Sequence, residues 1–206
     1  MLNFEKPIYK ITEYVENNNY GKFELEPLER GFGTTIGNAL RRVMLSSMPG
    51  SAIVAVKIEG VMHEFQTIDG VVEDVTAIVL NLKDVVIKNH SDEKKIIKLS
   101  ASNEGEVKAG DIECDADIEI MNPGKVIATL AKGGKLEMEL LVANGRGYVP
   151  SNENKCHIEN SKLGFIPIDA LYSPIERISY EVEDARVGQN ANYDKLIMNV
   201  YTNGSI

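Results

Sequence analysis

Alternation of apolar and polar positions characterises the first part of the chain. Residues 8–15 and 22–25 alternate in this way, and the polar cluster at 17–21 between them is typical of a turn. This pattern predicts a β-hairpin. Its second strand is expected to end at Pro27, because proline cannot donate a hydrogen bond to a sheet.

The spacing of apolar residues then changes to that of a helix. They recur every three or four positions up to Pro49-Gly50, which is expected to end the helix. Thr34 or Thr35 is expected to cap its start. The apolar positions of this predicted helix are Phe32, Ile36, Ala39, Leu40, Val43 and Met44.

Beyond this helix the pattern is mainly that of strands and turns. A strand is predicted for 51–58 and a second helix for 69–82, although the β-branched residues of the latter also favour a strand. Residues 85–144 are predicted to form β structure interrupted by turns, with 136–142 as the longest strand. A polar loop is expected at 145–163.

Two more strands are predicted near the end of the chain, at 175–182 and 196–201, with a polar stretch at 184–192 between them. The sequence contains no internal repeat and no low-complexity segment. Two predicted helices among many short strands indicate an α+β fold that is rich in antiparallel hairpins.

The charge pattern restricts the partners of this chain. Its 206 residues carry a net charge of −9, and most lysines and arginines are interleaved with acidic residues. A surface that binds nucleic acid needs clustered basic residues, because the release of counterions from phosphates supplies much of the affinity. Direct nucleic-acid binding is therefore not expected, although a local basic site stays open.

Cysteines and apolar runs indicate the compartment. Cys114 and Cys156 lie far apart in the sequence, which is typical of reduced thiols in the cytosol and leaves open one long-range disulfide. No apolar run is long enough to span a bilayer, and the first ten residues contain no signal-peptide core. We expect a cytoplasmic protein that does not bind a membrane.

A glycine pattern lies at the start of the first helix, at Gly31, Gly33 and Gly37. A dinucleotide-binding turn needs its third glycine one position earlier and its first directly after a strand. No Lys-Ser/Thr pair follows that would indicate a phosphate-binding P-loop. A structural interpretation fits better: Gly31 and Gly33 shape a tight entry, and Gly37 lets another element approach the helix closely.

Candidate catalytic and metal-binding groups are scattered along the sequence. His63, His90 and His157 lie in different segments, and Cys156-His157 has no second Cys/His pair that would complete a tetrahedral zinc site. Ser46-Ser47 lacks the glycines of a nucleophile elbow. The sequence therefore predicts no catalytic residue, no metal site and no cofactor.

The first helix presents two arcs of residues when successive positions are placed about 100° apart. The apolar arc is expected to face the protein's own core. The mixed arc combines a guanidinium, small polar groups and a leucine, which suits a protein interface but also occurs on solvated helix faces. The apolar arc consists of Phe32, Ile36, Ala39, Leu40 and Val43, and the mixed arc of Thr35, Asn38, Arg42, Leu45 and Ser46.

The segment around this helix also carries a family signature. Residues 23–50, which read FELEPLERGFGTTIGNALRRVMLSSMPG, closely resemble the N-terminal domain of the bacterial RNA polymerase α subunit. Further matches follow in the same order and cover essentially the whole chain, so the resemblance is far more specific than a short motif. They include EDV at 73–75, LNLK at 80–83, GRGYVP at 145–150, YSPIER at 172–177, RVGQ at 186–189 and YDKL at 193–196.

The resemblance implies a fold and a role. It implies a discontinuous dimerisation subdomain at 1–49 and 174–206, formed by an antiparallel sheet and a helix, with an inserted, mainly β subdomain at 50–173. It implies a subunit that pairs with a second α subunit and then recruits the β and β′ subunits during core-enzyme assembly. Such a chain belongs to a cytoplasmic, nucleoid-associated nucleotidyltransferase complex but carries no active site of its own.

The same resemblance assigns residues to each contact. Arg42, with Leu45 and Ser46 beside it, corresponds to the β-docking site, and Lys83 and Ile168 correspond to the β′ contacts. No DNA contact is implied, because in this family a separate C-terminal domain binds DNA. The residues implied in dimerisation are Phe32, Ile36, Leu40 and Val43.

One departure from the family follows residues 202–206, where the family continues into an amphipathic helix that packs on the first helix of the partner copy. Because the sequence ends there, a weak dimer, a rearranged contact or a monomer is expected. Two alternatives stay open at this point: a free-standing protein-interaction module of similar fold, and a small enzyme that uses the glycine-rich turn.

Overall fold

The structure, a computed structural model, describes residues 6–16, 19–158 and 164–206. Within these residues, antiparallel sheets and a few helices confirm the predicted α+β fold. The chain divides into two compact units. The terminal unit consists of Met1–Met48, Ser173–Gly204 and Ile206, and the inserted unit of Pro49–Tyr172 with Ser205. Each junction lies one residue before the one expected from the resemblance.

The terminal unit is formed by a sheet and one helix. Its elements are β1 (Ile8–Val15), β2 (Tyr20–Glu29), β14 (Ile175–Val187), β15 (Asn190–Thr202) and helix α1 (Phe32–Ser47). The strands form one antiparallel sheet in the order β1-β2-β15-β14, which contains the hairpin predicted at the start of the chain. The pairing of β2 with β15, in which Phe23 lies opposite Met198, joins this hairpin to the C-terminal one.

Helix α1 packs on this sheet through glycine. Its buried residues are Gly33 and Gly37. A Cβ atom at Gly37 would lie 2.7 Å from a ring carbon of Tyr180 and 2.8 Å from Cδ1 of Leu196, well inside van der Waals contact. This confirms that glycine permits the close approach of another element. The buried core of the unit consists of Leu28, Ile175, Ile178, Leu196, Met198 and Val200.

Two local predictions for the terminal unit are wrong. Strand β2 does not end at Pro27 but continues to Glu29, because the proline falls at a register shift between β2 and β15. The strands predicted at 175–182 and 196–201 are too short, since β14 continues to Val187 and β15 begins at Asn190, so most of the polar stretch at 184–192 belongs to a long hairpin. Most of its side chains are exposed, so no apolar alternation identifies it as a pair of strands.

The inserted unit is mainly β. Its strands are β3 (Pro49–Ile58), β4 (Ile87–Asn89), β5 (Lys95–Ala101), β6 (Gly105–Lys108), β7 (Ile112–Glu113), β8 (Ile118–Ile120), β9 (Val126–Leu130), β10 (Leu136–Arg146), β11 (Tyr148–Val149), β12 (Ile166–Pro167) and β13 (Ala170–Leu171). The main sheet has the order β7-β5-β10-β3-β4-β8, with β12 paired to β3, and two small sheets pair β6 with β9 and β11 with β13. The other elements are helices α2 (Val75–Lys83) and α3 (Ser151–Ile158) and a short 3₁₀ helix (Ala109–Asp111).

Strands β3 and β10, which confirm the strands predicted at 51–58 and 136–142, lie beside each other in this sheet. Both are buried on two faces: on β10, Leu140 belongs to one apolar cluster and Leu141 to another. Helix α2 covers the larger cluster, so the inserted unit encloses an extensive core of its own. The helix residues buried there are Val75, Ile78, Val79 and Leu82.

Two other elements of the inserted unit differ from prediction. The second helix begins at Val75 and not at residue 69, because the preceding Glu73 is bound to β9, where its carboxylate accepts hydrogen bonds from N and Oγ1 of Thr129. The predicted loop at 145–163 contains helix α3, and its last five residues lie outside the described residues.

Candidate functional site

The glycine-rich start of α1 is capped by a residue far along the chain. Gly31 has a left-handed backbone (φ 88°) and is the N-cap, so neither Thr34 nor Thr35 caps the helix as expected. The buried carboxylate of Asp194 accepts hydrogen bonds from the backbone N of Gly31 (2.8 Å) and of Gly33 (3.2 Å). Negative charge is favoured there because the helix dipole is positive at its N-terminus.

This cap weighs against the nucleotide-binding interpretation of the glycines. A phosphate bound at a helix N-terminus uses the free backbone N–H groups of the first turn, and here Asp194 already accepts from two of them. Sequence analysis missed this residue because it lies 163 positions after Gly31. Only the pairing of β15 with β2 brings it to the helix.

The apolar arc of α1 lies mostly at the surface of the terminal unit. Phe32 is 51% exposed, Leu40 38% and Val43 56%. Only Ile36 packs against the core. The expectation that the arc faces the protein's own core is therefore wrong for its other four residues, since Ala39 is exposed as well. They remain outside the contact because α1 meets the sheet through its two buried glycines.

Strand β1 extends this apolar surface. Tyr9, Ile11 and Tyr14 are all more than half exposed. Tyr9 and Leu40 line one apolar cleft of about 220 Å³, and Phe32 lines another of about 390 Å³. The first strand and the first helix therefore form one exposed surface of apolar side chains and apolar clefts.

The mixed arc of α1 is accessible except at one position. Arg42 and Ser46 are exposed, and Ser46 Oγ donates to the backbone O of Arg42 (2.8 Å). Leu45 is half-buried against the core of the unit, so only part of its side chain is available to a partner. None of the ion pairs formed among the described residues involves Arg42, which leaves its guanidinium able to bind a carboxylate.

Lys83, the last residue of α2, forms an ion pair within the inserted unit. Its Nζ lies 2.6 Å from Oδ2 of Asp169, and the two side chains are 30% and 29% exposed. Oδ1 of the same carboxylate accepts a hydrogen bond from the backbone N of Ser151, at the start of α3 (2.8 Å). The bond from Lys83, followed by the bond from Ser151, lowers the pKa of Asp169 below its ordinary value. Sequence analysis identified Lys83 but not this partner.

Ile168 is buried, whereas a contact residue is expected to be exposed. Its side chain is only 1% exposed and belongs to the main core of the inserted unit. Its backbone is also held, because its N donates to the backbone O of Val54 (3.0 Å) and its O accepts from Nδ2 of Asn154 (2.7 Å). Ile168 therefore offers no surface to a partner, which corrects the expectation of a direct contact.

Other exposed apolar side chains lie on the segment that precedes α2. Met62 is 89% exposed, Phe65 78% and Val72 71%. The segment is ordered by hydrogen bonds, including one from the backbone N of His63 to Oε1 of Gln66 (3.1 Å). Sequence analysis missed this surface because an irregular segment has no periodicity from which the exposure of a side chain can be read.

Candidate metal ligands are not clustered in the described part of the chain. No set of three or more His, Cys, Asp or Glu side chains is placed there to hold a metal ion. The side chains of Cys156 and His157 lie outside the described residues. Among the helices that the structure describes, none combines the length and the apolar character needed to cross a bilayer.

Comparison with known proteins shows similarity to one kind of subunit. Residues 56–173, which are more than half of the chain and most of the inserted unit, match a family model described as the RNA polymerase Rpb3/RpoA insert domain. This match and the relatives below agree with the resemblance noted in the sequence.

Three relatives carry the name DNA-directed RNA polymerase subunit alpha. The chain is 55% identical over 206 residues to the one from Symbiobacterium thermophilum and 56% identical over 208 residues to the one from Desulforamulus reducens. It is 54% identical over 206 residues to the one from Desulfitobacterium hafniense. Each comparison covers all of this chain and 65% of the relative, so the chain spans 65% of the length of these relatives.

Proposed function

The chain belongs to the family of bacterial RNA polymerase α subunits, and we propose that it serves in that enzyme as a non-catalytic assembly subunit. It pairs with a second copy of itself and docks the β and β′ subunits, in the cytoplasm and at the nucleoid. One observation carries the proposal: the exposed side of a single helix, α1, presents an apolar arc and a mixed arc next to each other.

Self-association through the terminal unit is supported by the exposed apolar arc. Moving a large apolar side chain from water into an interface is worth about 1.5–3 kcal/mol. Phe32, Leu40 and Val43 offer three such side chains, and Tyr9 on β1 offers a fourth that is 75% exposed. A two-fold symmetric contact uses the same patch on both partners, so each of these side chains is buried twice in a dimer.

Docking of the β subunit is assigned to the mixed arc. Arg42 is exposed and forms no ion pair among the described residues, and arginine is a frequent anchor of protein interfaces. The small exposed side chain of Ser46 lies one helical turn away and leaves room for a partner. Leu45 contributes the exposed part of its side chain and links the arc to the core beneath it.

Docking of the β′ subunit is assigned to Lys83 in the inserted unit. Its ammonium group lies at the C-terminal end of α2, where the helix dipole favours positive charge, and it is partly exposed. Ile168 is given an indirect role, because its buried side chain fixes the segment that carries Asp169.

The proposal assigns no active site, cofactor or DNA contact to this chain. Its net charge is −9. Lysines such as Lys57, Lys95 and Lys195 are paired with carboxylates of the same chain, which reduces the positive charge that is available to phosphates.

The test is capture of purified β subunit by the protein in its native length, in wild-type and Arg42→Ala forms. Arg41→Ala is the matched control, because it removes the same group from the next position, about 100° around the helix. We expect Arg42→Ala to weaken capture by about 2 kcal/mol, or roughly thirtyfold. Arg41→Ala is expected to stay close to wild type. Urea unfolding of each variant controls for loss of the fold.

The possible results separate the parts of the proposal. Equal losses in the two variants would show that general charge, and not the mixed arc, attracts β. Capture that survives Arg42→Ala would remove the assigned role of this residue. Failure of the wild-type protein to capture β would leave a polymerase-like fold without the assembly function.

A further inference from the structure

We propose that Asp169 is a positioning residue of the β′-docking site and holds the ammonium group of Lys83 in the orientation in which β′ binds it. This inference rests on the proposed function, because it concerns the site assigned there to Lys83. Asp169 itself need not touch the partner. Its effect passes through Lys83, and the experiments below are chosen to show that.

The geometry joins two helices at one carboxylate. Oδ2 of Asp169 lies 2.6 Å from Nζ of Lys83 at the end of α2, and Oδ1 accepts from the backbone N of Ser151 at the start of α3 (2.8 Å). A long lysine side chain has many rotamers in water. A carboxylate that is itself held by a second hydrogen bond restricts them.

The backbone that carries Asp169 is also fixed by α3. The preceding residue, Ile168, is buried in the core, and its backbone O accepts from Nδ2 of Asn154 (2.7 Å). Asn154 is fully buried on α3. The carboxylate therefore has a rigid base, and under the proposed function Ile168 acts on the docking site through this base without reaching the surface.

Of the two nearby aspartates, Asp84 and Asp169, only Asp169 forms an ion pair with Lys83 among the described residues. The neighbouring acidic residue, Asp84, is paired with Lys125 (2.6 Å). Among the ion pairs of the described residues, Lys83 takes part only in the one with Asp169. An aspartate is ionised at neutral pH, and the bond from Lys83 lowers the pKa of Asp169 further, so the pair persists there.

Two substitutions at position 169 separate the ion pair with Lys83 from the hydrogen bond that Ser151 donates. Asp169→Asn keeps an oxygen that accepts from Ser151 but removes the charge that orients Lys83. Asp169→Ala removes both interactions. Asp84→Asn is the matched control, because it removes the same charge one residue from Lys83 without touching its ion pair.

The first readout is recruitment of β′ by a preformed complex of β with the protein in its native length. We expect Asp169→Asn to weaken recruitment about fivefold, as for a partly exposed charge pair. Asp84→Asn is expected to recruit like wild type. Lys83→Met should weaken recruitment at least as much as Asp169→Asn, and the double variant should be no weaker than Lys83→Met alone, because Asp169 acts through Lys83.

The second readout is the acetylation rate of Lys83 in the protein without β′, measured by mass spectrometry at limiting acetic anhydride. We expect Asp169→Asn to raise this rate severalfold relative to the exposed Lys155, because the amine is released from its ion pair. This rate tests whether Asp169 restrains Lys83, and an unchanged rate would overturn the positioning role, whereas recruitment tests whether the restraint matters to β′.

The results distinguish this inference from the proposed function. If recruitment is lost in Lys83→Met but kept in Asp169→Asn, the positioning role is overturned and the docking role of Lys83 stands. If the two losses add in the double variant, Asp169 acts independently and the inference also fails. If Lys83→Met recruits β′ normally, the docking assignment falls and the inference falls with it.

Discussion

The helices of the two units differ in how much of their apolar surface is buried. In the inserted unit, α2 buries four apolar residues and both faces of the central strands are covered. In the terminal unit, α1 buries only its two glycines and leaves Phe32, Leu40 and Val43 at the surface. Apolar periodicity predicted each helix, but it did not reveal whether the apolar face of the helix would be buried within its own unit.

The two units therefore depend on partners to different degrees for their stability. A unit that covers its own helix has a stability that is independent of its partners. A unit that exposes an apolar helix gains stability when a partner covers it, and that gain depends on concentration. Four comparisons test this contrast, and they follow in decreasing order of effect.

The largest effect is expected for Val43→Glu in the apolar arc. The carboxylate would enter an apolar interface without a partner, so we expect self-association of the protein in its native length to weaken at least about 100-fold. Sedimentation velocity over a concentration series measures the change. The control is Leu171→Glu in the inserted unit, where the wild-type side chain is 63% exposed. Equal losses from both substitutions would contradict the assignment of the interface to α1.

The next effect concerns close packing under α1. Gly37→Ala places a methyl group against Tyr180 and Leu196, and we expect the free energy of unfolding to fall by about 2 kcal/mol, despite the higher helix propensity of alanine. Gly124→Ala in the inserted unit meets open space and should change little. Urea unfolding measures both. A stabilised Gly37→Ala variant would show that α1 can move away from the sheet without lowering the free energy of unfolding.

A smaller effect compares the caps of the two helices. Asp74 caps α2 locally, by accepting from the backbone N of Ala77 (2.7 Å), whereas Asp194 caps α1 from a distant strand and is buried. We expect Asp74→Ala to cost about 1 kcal/mol and Asp194→Ala to cost up to about 2 kcal/mol. Asp194→Asn, which keeps an acceptor, should recover part of the loss in urea unfolding. Equal costs would mean that burial of the distant cap adds nothing.

The smallest effect concerns one carboxylate in each unit. The hydrogen bond from Lys195 lowers the pKa of Glu24, and the bond from Lys83 lowers that of Asp169. A lowered pKa stabilises the folded state at a pH above the ordinary value, 4.5 for Glu24 and 3.8 for Asp169, and this stabilisation is lost as the pH falls through the folded-state value.

Glu24→Gln and Asp169→Asn should therefore lower the urea midpoint at pH 7 by a small amount, since ion pairs near the surface contribute little. The difference from wild type should shrink as the pH falls below these ordinary values. A difference that stays constant down to pH 3 would show that the amides act by altered packing and not by loss of charge.

Much of the fold could be predicted because it depends on local pattern. The strand at 51–58 and the helix that ends before Pro49 have spacing and stop signals within a few residues. The start of α2 was missed because Glu73 is bound to a distant strand. The extended hairpin at 184–192 was missed because exposed strands carry no apolar alternation.

The candidate site was predictable only in part, for the same reason. The two arcs of α1 follow from helical geometry, but the exposure of Phe32 depends on glycine contacts with residues of β14 and β15. Lys83 came from the resemblance. Its partner Asp169 and the burial of Ile168 depend on tertiary contacts that no spacing reveals.

The discontinuous terminal unit also sets an order of events on the ribosome. Residues 49–172 are translated between its two parts, and at about 5–20 residues per second this takes roughly 6–25 s. During that time α1 has neither the sheet partner β15 nor the carboxylate of Asp194. The inserted unit can fold first, whereas the nascent helix is expected to need shielding by chaperones. If the proposed self-association holds, it should therefore begin only after synthesis of the last hairpin.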